Sequence, residues 1–413
     1  MLPERMRLLD IDLNGRACGR LQHGSVYNFS YGKDDPTQAA LSLLMPPTEL
    51  MYEDGALFPA MDMNLPEGFL FQQIRELFPK QPITPMHLLA LVGNNGIGRI
   101  GYGLPDTEPG MRPATIDKAQ LLKNGNDQGL FAELTRAYLS TGAGISGIQP
   151  KIMLPDRATV PIPTLIVKLA AERYPGLSAN EFLCLSAARM AGIETPSFDL
   201  SQDGQLLVID RFDIATDGTR MGFEDVASLM GLRVRDALSE RKYRGSYENI
   251  AAVLRMINLP SADLARFFEQ IAFSAMVRNG NGHLKNFGVL YGNDHVPRLS
   301  PMFDVVTTSI YKYQRFEGGP DMEDMTMALK LFAGKRGSKV YPTPAELLEF
   351  GKRICGVERP HRVVERIADA MRQALLHFKA DSRMPAPLRR TMAEAWAPGL
   401  MLAAEATRHH GTA

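Results

Sequence analysis

Two asparagines stand five positions apart in the run Asn279-Gly280-Asn281-Gly282-His283-Leu284-Lys285-Asn286-Phe287-Gly288. A phosphotransferase catalytic loop has this spacing, with an Asp five residues before a metal-binding Asn, because both side chains must converge on one phosphoryl group. On that reading Asn286 is a metal ligand and Asn281 occupies the position of the base. An amide has the shape of Asp but neither its charge nor its basicity near neutral pH. A chain built around such a loop must also supply a phosphate-binding strand before it and a metal-binding carboxylate after it.

Candidates for those pieces occur in the required order. The glycine-rich turn Gly142-Ala143-Gly144-Ile145-Ser146-Gly147-Ile148-Gln149-Pro150-Lys151 runs into the apolar strand Ile152-Met153-Leu154, and glycines let a backbone present its N–H groups to phosphate oxygens. Thr164-Leu165-Ile166-Val167-Lys168-Leu169 is β-branched and apolar with one lysine, the context of a phosphate-binding lysine on a strand. Ser300-Pro301-Met302-Phe303-Asp304-Val305-Val306 puts one carboxylate in an apolar, strand-like stretch downstream of the loop, where a magnesium-binding Asp belongs. Glu181, in Ser178-Ala179-Asn180-Glu181, has two readings. It is a helix glutamate that pairs with Lys168, or the end of a capping box opening the apolar helix Phe182 to Ala191.

With these residues assembled, the chain resembles the HipA-like serine/threonine kinase toxins of bacterial type II toxin–antitoxin systems. The resemblance runs from Leu41-Ser42-Leu43-Leu44-Met45-Pro46 through Ile145 to Lys151, Ile166 to Leu169, Asn180-Glu181, Val208-Ile209-Asp210-Arg211-Phe212-Asp213 and Asn279 to Asn286, and ends at Asp304. It implies an α/β (α+β), two-lobed, protein-kinase-like fold with a small β-rich amino-terminal subdomain and a helical carboxy-terminal lobe. The implied activity is ATP- and Mg2+-dependent phosphorylation of a protein, often an aminoacyl-tRNA synthetase, with growth arrest as the outcome. A helix-turn-helix antitoxin is the implied partner, and DNA is met only through it.

Residue by residue, the resemblance implies a catalytic loop of Asn281, His283 and Lys285, with Asn286 and Asp304 as metal ligands. The nucleotide would be held by Gly144, Ser146, Gly147, Gln149, Lys151, Lys168, Glu181, Asp210 and Phe212. Phe212 follows a hinge-like strand and would pack on adenine or simply on the core. The chain departs from the family at Asn281, where Asp is usual, and at Gly144, where an autophosphorylated Ser is common; Ser146 then becomes the acceptor. Asn281 has two explanations. It is an introduced change that silences a growth-arresting kinase, or it is natural and marks a nucleotide-binding pseudokinase that works through partner binding.

The 413 residues, 45% hydrophobic and 22% charged, allow two or three packed units. A formal net charge of zero gives no reason to expect strong attraction to nucleic acid or membrane. Met1 to Arg7 lacks a signal-peptide core, and no run of eighteen apolar residues occurs, so a cytoplasmic location is expected. Cys18, Cys184 and Cys355 are odd in number and far apart, which argues against disulfides and a Cys-ligated metal.

Three divisions are expected: 1–110, β-rich; 111–213, with the glycine-rich turn and Lys168; and 214–413, helical, with the catalytic loop and Asp304. Gly101 to Asp106 reads as a linker. Leu264, Phe267, Phe268, Ile271, Ala275 and Met276 recur at helical spacing after the cap candidate Ser261, which places a helix just ahead of the loop. Gly96-Ile97-Gly98-Arg99-Ile100-Gly101 matches a dinucleotide fingerprint letter for letter but follows a helix-like segment, so it reads as a structural turn. Arg233 to Arg244 is basic with interspersed acids, either a solvated surface or a phosphate-meeting one.

Overall fold

The computed structural model describes residues 3–32, 39–105, 117–124, 130, 134, 158–162, 164–169, 174–294, 296–313, 319–334 and 337–410. The amino-terminal part is an antiparallel sheet built from β1 (Leu8–Leu13), β2 (Arg16–His23), β3 (Tyr27–Tyr31), β4 (Met51–Asp54) and, after three helices, β5 (Ile100–Gly103), in the order β4-β3-β2-β1-β5. Alternation in β1 buries Leu9, Ile11 and Leu13, as a period of two requires of a strand with one face on a core. The helices are α1 (Pro59–Asp62), α2 (Gly68–Leu77) and α3 (Pro85–Val92).

The expected linker at Gly101 is a strand instead. Ile100 to Gly103 pairs with Leu13 to Asp10. The glycine is needed for close approach rather than for a turn: a Cβ on Gly101 would lie 2.3 Å from an Asp12 carboxylate oxygen.

A second sheet carries the lysine. After α4 (Lys118–Asn124), the strands β6 (Ala158–Ile162) and β7 (Leu165–Leu169), then α5 (Leu177–Met190), β8 (Phe198–Leu200) and β9 (Leu206–Asp210), form the order β6-β7-β9-β8. The sheet is wedged between two cores. Leu165, Val167, Leu206 and Val208 face the amino-terminal core, whereas Leu207 and Ile209 belong to the core of the carboxy-terminal lobe and Ile166 packs against it. Lys168 shares the strand face of Ile166 and therefore looks toward α5.

The remainder is mostly helical around a third sheet. β10 (Gly222–Asp225) leads into α6 (Val226–Leu229), a 3-10 helix (Asp236–Tyr243), α7 (Tyr247–Met256) and α8 (Ser261–Met276). A short 3-10 turn (Leu284–Asn286), β11 (Gly288–Tyr291) and β12 (Pro297–Leu299) complete the order β10-β11-β12. After the hairpin β13 (Lys312–Tyr313) and β14 (Met322–Glu323), the chain closes with α9 (Pro344–Glu349), α10 (Pro360–His377) and α11 (Ala386–His410).

The helix ahead of the loop starts where its apolar spacing places it, but Ser261 is its first residue rather than its cap. Pro260 occupies the cap without a side-chain hydrogen bond. Ser300 to Val306 is not a strand. β12 ends at Leu299 and the chain then runs irregularly, with Asp304 at φ +54. No helix among the described residues is long and apolar enough to cross a membrane.

Candidate active site

Lys168 is nearly buried, and its ammonium donates to Glu181 Oε1 at 2.5 Å and to Asp304 Oδ1 at 2.9 Å. Glu181 is buried inside α5, which starts at Leu177 after Gly176 in the left-handed region. Ser178 caps nothing; its hydroxyl donates to Gln205 O at 2.7 Å. The capping-box reading of Glu181 therefore gives way to the lysine partner. Removing one member of such a buried pair strands the other charge, at a cost of about 3–5 kcal/mol.

The same helix also fixes the segment that bears Asp304. Asn180, one residue before Glu181, accepts from Thr307 N at 2.9 Å and donates to Thr307 O at 3.0 Å. Trp396, from α11, donates its indole N–H to Thr307 Oγ1 at 2.8 Å. Three residues upstream, Asp304 holds a backbone conformation that non-glycine residues seldom adopt. Sequence reasoning assigned no bond to Asn180, Thr307 or Trp396; the only local signal was Asn180-Glu181, two polar residues side by side in the first turn of a helix with an apolar middle.

The candidate catalytic loop is wound on bonds that leave the Asn281 carboxamide out. Asn279 N bonds back to Ser274 O at 2.9 Å, and Asn279 Oδ1 accepts from Asn281 N at 3.0 Å. Gly280 passes so close to Thr308, Asp324 and Thr326 that a Cβ would meet each within 2.7 Å. Tyr247 donates to Gly282 O at 2.9 Å. Asn281 O accepts from His283 N and from Asn286 Nδ2, both at 2.8 Å. Asn286 Nδ2 also reaches Asp304 O at 3.4 Å. With its N–H groups turned to these carbonyls, Asn286 keeps its Oδ1 as an acceptor next to the segment of Asp304.

His283 is a neutral member of the loop. Burial, assisted by Lys242 and opposed by Asp304, pushes its pKa down to about 3. Its ring meets Tyr243 edge-on at 5.2 Å, and the buried Nδ1 has no hydrogen-bond partner. Lys285 is committed elsewhere: its ammonium lies 2.6 Å from Glu67, the N-cap residue of α2 in the amino-terminal part. Burial works against that ammonium, but Glu67, Asp225 and Asp62 outweigh it and hold its pKa above the ordinary lysine value.

Other expected residues lie apart from this cluster. The Asp210 carboxylate pairs with Lys118 at 3.0 Å, and Lys118 also pairs with Asp199 at 2.9 Å. Phe212 stacks on Phe303, ring centres 5.3 Å apart, and meets Phe223 edge-on at 5.5 Å, so it packs beside the residue that precedes Asp304. Gly144, Ser146, Gly147, Gln149 and Lys151 lie outside the described residues. The glycine pattern is a turn over Gly96 to Arg99, held by the buried pair Arg211–Asp213, and passes into β5 at Ile100 and Gly101. Arg211 donates to Asn95 O and Gly96 O at 3.1 and 2.7 Å, and Gly98 N donates to Asp213 at 2.7 Å.

Comparison with known families meets this geometry. The family model for the HipA-like C-terminal domain matches residues 143–377, and that for the HipA N-terminal domain matches residues 9–103. The chain belongs to the HipA-like family. Among relatives of this HipA-like chain, "Putative kinase Y4mE" of Sinorhizobium fredii is 24% identical over 341 residues, 74% of this chain and 78% of that protein. "Putative kinase Y4dM" of the same organism is 34% identical over 161 residues, and the aligned part spans only 38% of its length. The HipA of Shewanella oneidensis MR-1, solved in a complex with HipB and operator DNA, superposes with a TM-score of 0.61 at 16% identity over 96% of both chains. The fold is therefore the kinase-like fold of HipA, with its β-rich amino-terminal sheet and helical carboxy-terminal lobe.

Proposed function

We propose that this HipA-like chain binds ATP with Mg2+ and is a serine/threonine protein kinase whose transfer step is disabled at Asn281. The observation that carries the reading is convergence. Lys168 from a strand, Glu181 from a helix and Asp304 from an irregular loop meet in one hydrogen-bonded group, and Asn286 of the catalytic loop bonds to the same loop backbone.

The donor set suits the proposed metal. Asn286 Oδ1 and the Asp304 carboxylate are the hard oxygen ligands that Mg2+ takes. Bound Mg2+ would neutralise charge on the phosphates and hold them in line for transfer. Lys168, positioned by Glu181, would clamp phosphate oxygens, and Asn281, whose carboxamide the loop bonds leave out, would stand where the attacking hydroxyl comes. There its amide cannot take a proton, whereas a carboxylate could.

By extension from the Shewanella complex, the partner is a HipB-like helix-turn-helix antitoxin, with DNA met through it. The substrate class is a protein, with aminoacyl-tRNA synthetases first to be tried, and Ser146 is the proposed site of self-modification.

Asn281→Asp tests the reading. A positioned base contributes about 10² to 10⁴ in rate, so transfer of labelled phosphate from ATP to lysate proteins should rise by that order while calorimetric ATP affinity changes little. Equal transfer by variant and parent, with ATP still bound, rejects the kinase and leaves a nucleotide-binding protein that acts through partners.

A further inference from the structure

Lys242 differs from the other cations of the cleft. It is the penultimate residue of the 3-10 helix Asp236–Tyr243, which packs against the 3-10 turn Leu284–Asn286 of the catalytic loop. The next residue, Tyr243, lies against the His283 ring. The Lys242 side chain is half-buried, and the fields of Glu67, Lys285 and Asp304 all reach its ammonium. Lys168 has Glu181 and Asp304 as its anions, Lys285 has Glu67, and Lys339, beside the Tyr243 ring, donates to the Tyr243 carbonyl at 3.0 Å. Among the described residues Lys242 has no carboxylate within 4 Å, and its recorded neighbour is the Tyr243 ring at 5.4 Å.

An ammonium partly withdrawn from water without an anion is costly, and burial holds the pKa of Lys242 below the ordinary lysine value although Glu67 opposes this. The buried His283 Nδ1 is also without a hydrogen-bond partner, and its ring lies 5.2 Å from that of Tyr243, the residue next to Lys242. A half-exposed ammonium without a carboxylate and a buried imidazole nitrogen without a hydrogen bond, both beside the loop, mark a subsite for an anion. Lys168 cannot fill that role alone, since its ammonium already serves two carboxylates.

We propose that Lys242 completes an anion subsite over the catalytic loop and takes the oxygens of the terminal phosphoryl group of a nucleoside triphosphate. The inference rests on the ATP-binding reading above and deepens it. Lys242 then distinguishes triphosphate from diphosphate, because a diphosphate places no group there. A single ammonium suffices as a point charge for phosphate.

The test is calorimetry of the full chain with ATP and with ADP, each with Mg2+, for the parent, Lys242→Gln and Lys242→Arg. The parent should prefer ATP. Lys242→Gln should lose about tenfold or more of that preference through loss of ATP affinity, with ADP affinity nearly unchanged, as expected for one charge-assisted hydrogen bond. Lys242→Arg should retain most of it. An unchanged ATP-to-ADP ratio in Lys242→Gln, or an equal loss of both nucleotides, overturns the subsite while leaving ATP binding intact. A parent that binds neither nucleotide overturns this inference and the proposed function together.

Discussion

Asp225 is a carboxylate that the fold keeps away from water. It caps α6, accepting from Ser228 N at 2.7 Å, and burial pushes its pKa from 3.8 to about 6 despite Lys285 nearby. The unfolded chain therefore gives up this proton at lower pH than the folded one. The stability contributed by the group is complete below 3.8 and is lost as pH rises through about 6. Asn caps as well as Asp and does not titrate. Urea denaturation of Asp225→Asn should show the variant gaining on the parent between those limits, by on the order of 1–3 kcal/mol. A difference between the two that does not vary with pH would refute the assignment.

Residue identities at the site were largely legible. One lysine in an apolar β-branched run could only be a strand lysine turned to one face, and the five-residue spacing anticipated that Asn286 and Asn281 lie together, where they share a 2.8 Å hydrogen bond. The conformation of Asp304 was not legible. Its apolar neighbours imitate a strand, but the bonds that hold the segment come from Asn180, 127 residues before Thr307. Local pattern has no access to a contact at that separation. The same holds for Lys285 and Glu67, which are 218 residues apart.

Among elements, α5 does two jobs with adjacent residues. Glu181 holds the lysine and Asn180 holds the backbone of the segment that bears Asp304, so a shift of the helix moves both halves of the proposed phosphate site together. Thr307 is fully buried. In Asn180→Ala its N–H and C=O would each lose a partner, at about 1–3 kcal/mol per group. The variant should unfold at lower urea by a few kcal/mol and bind Mg-ATP more weakly; wild-type stability in denaturation curves would disprove the anchoring role. The start of α5 left Glu181 with two readings in the sequence because Ser178 and Glu181 imitate a capping box. The turn that opens the helix is made by Gly176, where the left-handed backbone at φ +71 removes the need for a side-chain cap.

At the scale of the molecule, the amino-terminal sheet is bolted to the carboxy-terminal lobe rather than tethered to it. Arg99, almost fully buried, donates to Ala40 O at 2.8 Å on one side and to Asn293 Oδ1 at 2.9 Å on the other, and lies over the Tyr291 ring. Buried Glu224 accepts from Ser42 Oγ and Tyr291 OH, both at 2.8 Å, and from Leu43 N at 2.7 Å. The two parts should therefore melt together. Scanning calorimetry of the parent should show one transition, and Arg99→Met should split it or lower it by several degrees as the junction loosens; an unaltered single peak would count against the coupling. Glycines and charged residues along the junction read as turns and surface in the sequence because their partners lie in the other half of the chain.

Trp396 is the single tryptophan of the protein. It reaches from the last helix to within three residues of Asp304 through one indole hydrogen bond to Thr307. Indole emission depends on what the N–H touches and on how dry its surroundings are. The chain thus contains its own lamp, unlabelled and without background from a second fluorophore of its kind, fixed to the very segment that carries Asp304.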